Sequence, residues 1–160
     1  MDAEIPLGRE EVATAAEMEA LGHRIGTQLT AGDVVVLTGP LGAGKTTFTR
    51  GLAEGLGVRG PVQSPTFVLA RTHPSLVGGA PLVHVDAYRL GSAAELDDLG
   101  IDTARSVTVI EWGRPMVDTI ADAWWDIELE RPVGGDEELA DEELDADAPR
   151  TVTISRVESR

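Results

Sequence analysis

The chain has 160 residues, no cysteine, an apolar fraction of 42% and a formal net charge of −15. That length supports a single domain over residues 1–160 with a real core, and the absence of cysteine excludes disulfides, thiolate zinc sites and cysteine nucleophiles. The acidity argues against direct contact with RNA or DNA, whose binders draw much of their affinity from basic surface. No apolar run approaches a membrane span, and the N-terminus lacks a basic and apolar leader, so a cytoplasmic location is the expectation.

In chain order, residues 9–30 read as an amphipathic helix with Val12, Ala16, Leu21, Ile25 and Leu29 on one face, ended by Gly32. Residues 33–38 are apolar and β-branched, the pattern of a parallel strand covered on both faces. They feed Gly39-Pro40-Leu41-Gly42-Ala43-Gly44-Lys45-Thr46, after which Phe48, Leu52 and Leu56 recur at helical spacing until Gly55 and Gly57 supply the stop. A loop at 60–65 enters a short strand at 66–70, and residues 73–80, with Pro74, Gly78 and Gly79, mark a turn. A strand at 82–85 ends at Asp86, and Ser92-Ala93-Ala94-Glu95 is a capping box opening a short helix to Gly100. Another buried strand, 107–110, runs directly into Glu111-Trp112. Strands at 124–130 and 151–157 close the chain, separated by the acidic segment 134–148. The order is that of an α/β, P-loop NTPase-like fold: a mostly parallel central sheet flanked by helices, with a C-terminal antiparallel hairpin.

The glycine-rich segment fits G-x-x-x-x-G-K-[ST], a loop that cradles the phosphates of a nucleoside triphosphate. Its glycines let backbone N–H groups form an anion nest, and the following helix turns its positive end toward the phosphates. Lys45 is the only lysine, against twelve arginines. A compact ammonium on a thin stem reaches the β- and γ-oxygens where a planar guanidinium would not fit. The contacts expected are from Gly39, Leu41, Gly42, Ala43, Gly44, Lys45, Thr46 and Thr47, with the Thr46 hydroxyl placed to ligate Mg²⁺.

Ligands of open α/β sheets bind outside the carboxyl ends of the strands, where this chain delivers Asp86 and Glu111. Magnesium-nucleotide chemistry needs carboxylates to hold the metal or its water shell and a polar group to orient the attacking water. Each acid has a plainer reading as a strand-terminal turn residue. His84 shares a face with Asp86 by strand alternation, but a lone histidine of this kind is by default a satisfied core residue. Trp112 reads by default as core, with a ring stacked near the nucleotide as the alternative. Of Trp124 and Trp125, one ring is expected in the sheet core and one on the outer face. The chain has no asparagine and no second lysine, so no N-K-x-D guanine signature exists and ATP is the expected nucleotide.

With these residues in hand, the chain resembles the TsaE family, the ATPase component of bacterial tRNA threonylcarbamoyladenosine synthesis. The matching words are the phosphate loop from Gly39 to Thr47, Ser64-Pro65-Thr66-Phe67, His84-Val85-Asp86-Ala87-Tyr88-Arg89-Leu90 and Glu111-Trp112. They appear in family order with family-like spacing, and the resemblance spans roughly residues 5 to 130. The resemblance implies a Mg-dependent ATPase subunit, weak alone, that docks on TsaD and TsaB subunits and touches tRNA only through them, with no DNA and no membrane partner. By position it implies Lys45, Asp86 and Glu111 as catalytic residues, and Thr46 with Glu111 around Mg²⁺. It also implies a switch segment near the γ-phosphate at Ser64 and Thr66, with Tyr88 near Asp86.

Two departures stand out. Met18 occupies the position where many family members carry a threonine near the base, with Thr14 one turn earlier as a weak substitute. The segment 134–148, with eight carboxylates between Asp136 and Asp147, is longer than a hairpin turn needs and is expected to be a solvated, flexible loop. Two other readings compete: a small-molecule kinase, which would need an arginine-bearing lid that the scattered Arg89, Arg105 and Arg114 do not form, and an ATP-gated interaction module whose hydrolysis is incidental.

Overall fold

A computed structural model describes Ile5 and residues 7–40, 44–58, 70–87, 90, 92–130 and 149–158. The elements are β1 (Gly8–Val12), α1 (Ala15–Gly26), β2 (Val34–Thr38), α2 (Lys45–Leu56), β3 (Ala70–His73), β4 (Leu82–Asp86), α3 (Ala93–Asp98), β5 (Val107–Glu111), a 3-10 turn (Val117–Thr119), β6 (Ala123–Glu130) and β7 (Arg150–Glu158). They form one seven-stranded mixed sheet in the order β1-β7-β6-β2-β5-β4-β3.

The four central strands β6, β2, β5 and β4 are parallel. Antiparallel pairs flank them on both sides: β3 beside β4, and β6, β7 and β1 in succession. The expected C-terminal hairpin is β6 with β7. The antiparallel share is larger than a mostly parallel sheet implies, for two reasons. β3 returns through a short turn, which can join only antiparallel neighbours, and residues 8–12 form an edge strand rather than the start of a helix.

That edge strand corrects the helix expected over 9–30. Thr14 sets the true start, its hydroxyl accepting the Glu17 amide at 3.1 Å while the Glu17 carboxylate accepts the Ala13 amide at 2.8 Å. The helix ends at Gly26, capped by Thr27, well before Gly32. Elsewhere one half of the expected capping box is formed, the Glu95 amide donating to Ser92 Oγ at 3.3 Å. β3 runs to His73, so the turn starts one residue later than expected; residues 66–69 of the strand expected at 66–70, and the acidic segment, lie outside the described residues.

Strand alternation splits the core between the two faces of the sheet. Val35, Leu37, Val107 and Val109 face α1 and α2, where Met18, Ile25, Phe48 and Leu52 cover them. Val34, Val36, Val85 and Ile110 face the other way, under Leu90, Leu96 and Val117. The adjacent tryptophans divide likewise. Trp124 is buried in the second core, whereas Trp125 leans half-buried on the first, with the Arg156 guanidinium 4.8 Å from its ring centre.

A glycine seam locks α1 to α2. A Cβ at Gly22 or Gly26 would run into the carbonyl oxygens of Phe48 and Leu52, and one at Gly51 or Gly55 into those of Glu19 and His23. Two G-x-x-x-G faces thus meet backbone to backbone, where any side chain would hold the helices apart. Gly55 therefore serves the seam and not the helix stop, which belongs to Gly57 alone, at φ +86 in the left-handed region.

Candidate functional site at the carboxyl edge of the sheet

The parallel register brings three strand ends together. Glu111 pairs with Leu37 on one side and with Asp86 on the other. The chain leaving β2 turns into α2, whose first residue is Lys45 and whose N-cap is Gly44 at φ +104. With no side chain of its own to cap the helix, Gly44 leaves the first amides of α2 for an outside acceptor. Met18 packs on this corner: a Cβ at Gly44 would lie 3.1 Å from the Met18 terminal methyl. Met18 is itself buried and brings an apolar thioether to this corner.

Lys45 is half-buried, and its ammonium donates to the carbonyls of Gly39 and Pro40 at 2.5 and 3.3 Å. Burial pushes its pKa below the ordinary 10.5, while the charges of Glu111 and Asp86 pull the other way. The ammonium also lies 5.0 Å from the centre of the Trp112 ring. Thr46 and Thr47 sit half-buried in the first turn of the same helix.

Glu111 is 6% exposed, and its Oε2 lies 2.7 Å from Nε2 of the fully buried His84. Trp112 follows at φ +62, the one described non-glycine residue in the left-handed region. Its amide stays bound to the Leu37 carbonyl at 2.8 Å, so the β2–β5 ladder continues while the indole swings out of the strand. A bulky residue held there is a strained backbone, the kind that concentrates at functional sites. Trp112 also lines a cavity of about 390 Å³ with Thr38, Ala87, Leu90, Arg114, Pro115 and Met116. The Thr38 hydroxyl is buried and has no partner among the described residues. Arg114 is held by β6, donating to both Asp126 oxygens at 3.2 and 2.7 Å and to Glu128 at 3.4 Å.

Of the residues expected to act, the structure brings Lys45, Asp86, Glu111 and Trp112 to one edge, beside Gly39, Gly44, Thr46 and Thr47. Trp112 is not a core residue. Leu41, Gly42, Ala43, Ser64, Thr66 and Tyr88 lie outside the described residues. His84, for which core packing is the default sequence reading, is bonded to a site acid. Strand alternation foreshadows its face, but only the β4–β5 register supplies its partner. The glycine seam was equally unread, although its signal, G-x-x-x-G on successive helices, is present in the sequence.

Fold and site together define an α/β protein with a parallel-centred sheet, carrying a lysine-headed helix and two strand-end acids at its carboxyl edge. The family model for "Threonylcarbamoyl adenosine biosynthesis protein TsaE" matches residues 12–138, and the chain belongs to that family. Among its relatives, the tRNA threonylcarbamoyladenosine biosynthesis protein TsaE of Streptomyces coelicolor is 50% identical over 146 residues, covering 89% of this chain and 93% of its own. The protein of the same description from Bacillus subtilis is 41% identical over 110 residues, 67% of this chain and 66% of its own. The crystal structure of Bacillus subtilis YdiB superposes with a TM-score of 0.65 at 27% identity, covering 91% of this chain and 82% of that one. Among the described residues no helix is long and apolar enough to cross a membrane.

Proposed function

We propose that this chain is a Mg-dependent, ATP-binding and ATP-hydrolysing subunit that supports the making of threonylcarbamoyladenosine in tRNA, in the cytoplasm. The observation that carries the reading is Lys45, a half-buried ammonium at the head of α2 under the influence of both Glu111 and Asp86. An amine desolvated at the start of a helix and flanked by acids suits a polyanion that arrives with a divalent cation. In this reading the loop 39–46 is a P-loop and the sheet that of a P-loop NTPase.

The donor set fits magnesium. Thr46 offers a hydroxyl and Glu111 and Asp86 offer carboxylates, all hard oxygen ligands, while no group of three or more metal-binding side chains exists among the described residues. Magnesium keeps waters and phosphate oxygens in its shell and seldom sits in an all-protein cage. Thr46 and Glu111 would hold the ion, which supplies charge neutralisation across the phosphates. Lys45 would neutralise the β- and γ-oxygens and the freed amides of α2 would orient them. Asp86 would accept a hydrogen bond from the attacking water and align it, and Trp112 would cover the lysine and limit water access.

The family resemblance supplies partners of the TsaD and TsaB type, and at a net charge of −15 tRNA would be held by them and not by this chain. The kinase alternative loses ground, because Arg114 is committed to Asp126 and Glu128 and Arg105 lies near Asp102 at 3.8 Å. The test is phosphate release by the chain alone, with TsaD and TsaB proteins, and with tRNA added. Release should be slight from the chain alone and rise markedly in the assembled complex. A phosphorylated metabolite with little free phosphate would instead establish a kinase.

A further inference from the structure

The buried pairing of His84 with Glu111 has a use that core packing does not account for. His84 is 0% exposed and sits on the same face of β4 as Leu82, which lies in the first core. An aliphatic side chain would fill such a place without desolvating two ring nitrogens. One of those nitrogens is satisfied: Nε2 lies 2.7 Å from Glu111 Oε2, and since a carboxylate only accepts, Nε2 carries the proton and donates. The other, Nδ1, is buried with no partner among the described residues. Among the described residues the ring thus makes a single hydrogen bond, to the acid at the end of β5.

The geometry points to His84 as the positioning residue of Glu111: its Nε2–H holds Oε2 and thereby orients the carboxylate toward the magnesium and phosphates of the bound nucleotide. Glu111 ends its strand, the next residue, Trp112, takes the chain away at φ +62, and among the described residues no backbone amide fixes the carboxylate. A hydrogen bond from a ring anchored in the adjacent strand does. It occupies one oxygen and leaves Oε1 uncommitted to His84. This inference rests on the reading of Glu111 as a magnesium-side acid.

The test compares the parent with His84→Leu, which fills the space without a donor, and His84→Gln, which restores one. Calorimetry measures ATP affinity in magnesium and in EDTA, and the ratio of the two is the magnesium-dependent gain. His84→Leu should reduce that gain by about 10–100-fold, the usual scale for losing a residue that orients a metal ligand, with affinity in EDTA within about 3-fold of the parent and His84→Gln recovering most of the gain. In steady state the same variant should lower kcat for phosphate release more than it raises KM. Independently of any substitution, nitrogen-15 imidazole spectra of the parent should show His84 with its proton on Nε2.

A parent-like gain in His84→Leu overturns the inference, as does an equal loss of affinity in EDTA for both variants, which is the mark of packing alone. So does a proton on Nδ1 in the parent. If the parent itself shows no magnesium-dependent gain, the reading of Glu111 falls with it; a normal parent gain that His84→Leu leaves intact removes only the role of His84.

Discussion

Gly22→Ala should destabilise this protein, although the same change in an ordinary helix interior is favourable by about 1 kcal/mol. The opposing effect can be worked from the seam. An added Cβ would overlap the Phe48 carbonyl oxygen and lie 3.0 Å from the Leu52 amide nitrogen and 3.1 Å from the Phe48 carbonyl carbon. All three are backbone atoms of α2, so no rotamer change relieves the contact and the helices must separate. A radial gap of 0.5–1 Å forfeits roughly a quarter to a half of each dispersion contact across the seam, and overpacking of this kind costs typically ~1–3 kcal/mol. Set against the propensity gain of about 1 kcal/mol, the net expectation is a loss of up to about 2 kcal/mol. For a chain of this size that corresponds to a fall in melting temperature of up to about 8 °C. Differential scanning calorimetry reads it, with Gly79→Ala as the control, since a Cβ there meets only Ser75 Oγ at 3.7 Å. A Gly22→Ala protein that melts at or above the parent would refute the seam as a close-packed contact. Because α2 carries Lys45 at its head, the variant should also bind Mg-ATP more weakly than the control.

Replacing Asp86 with Asn, or Glu111 with Gln, should cut phosphate release in the assembled complex by roughly 10² while lowering nucleotide affinity only modestly; parent rates in both variants would remove the assigned roles. Affinity for ATP should fall at alkaline pH earlier than an exposed lysine allows. Burial lowers Lys45 below 10.5 in the free protein and bound phosphate favours the protonated amine, so binding weakens as pH rises through that lowered value; a flat profile from neutrality to pH 10.5 would contradict the direction. Replacing residues 136–147 with Asp-Gly should leave melting temperature and ATP affinity nearly unchanged, because Glu130 and Thr151 already pair at the end of the hairpin and loop-closure entropy varies only slowly with length. A drop of several degrees on thermal melting would show that the segment packs.

The central strands were legible because burial on both faces writes itself as a continuous apolar run. The strands expected at 33–38 and 107–110 lie within a residue of their true limits, Val34–Thr38 and Val107–Glu111, for that reason. β1 was not, since Arg9, Glu10 and Glu11 are polar and largely exposed on an edge, which leaves no period-two signal, and Val12 borrows the phase of the helix behind it. Convergence of Asp86, Glu111 and Lys45 follows from strand order and the rule that sites form at carboxyl ends, so that part of the site was readable. The His84–Glu111 contact was not, because it depends on which residues stand opposite across β4 and β5, a register that no local pattern encodes. Nor did propensity foretell the positive φ of Trp112; tertiary context imposes it.

Calorimetric titration of Mg-ATP into the parent and into Lys45→Ala tests the nucleotide site most directly. The variant removes one ammonium from a helix head that contains no other lysine, and with it the charge-assisted contact to the phosphates. The parent should bind saturably and with magnesium dependence, and the variant should show no measurable binding at the same concentrations. An unchanged dissociation constant in Lys45→Ala would contradict it.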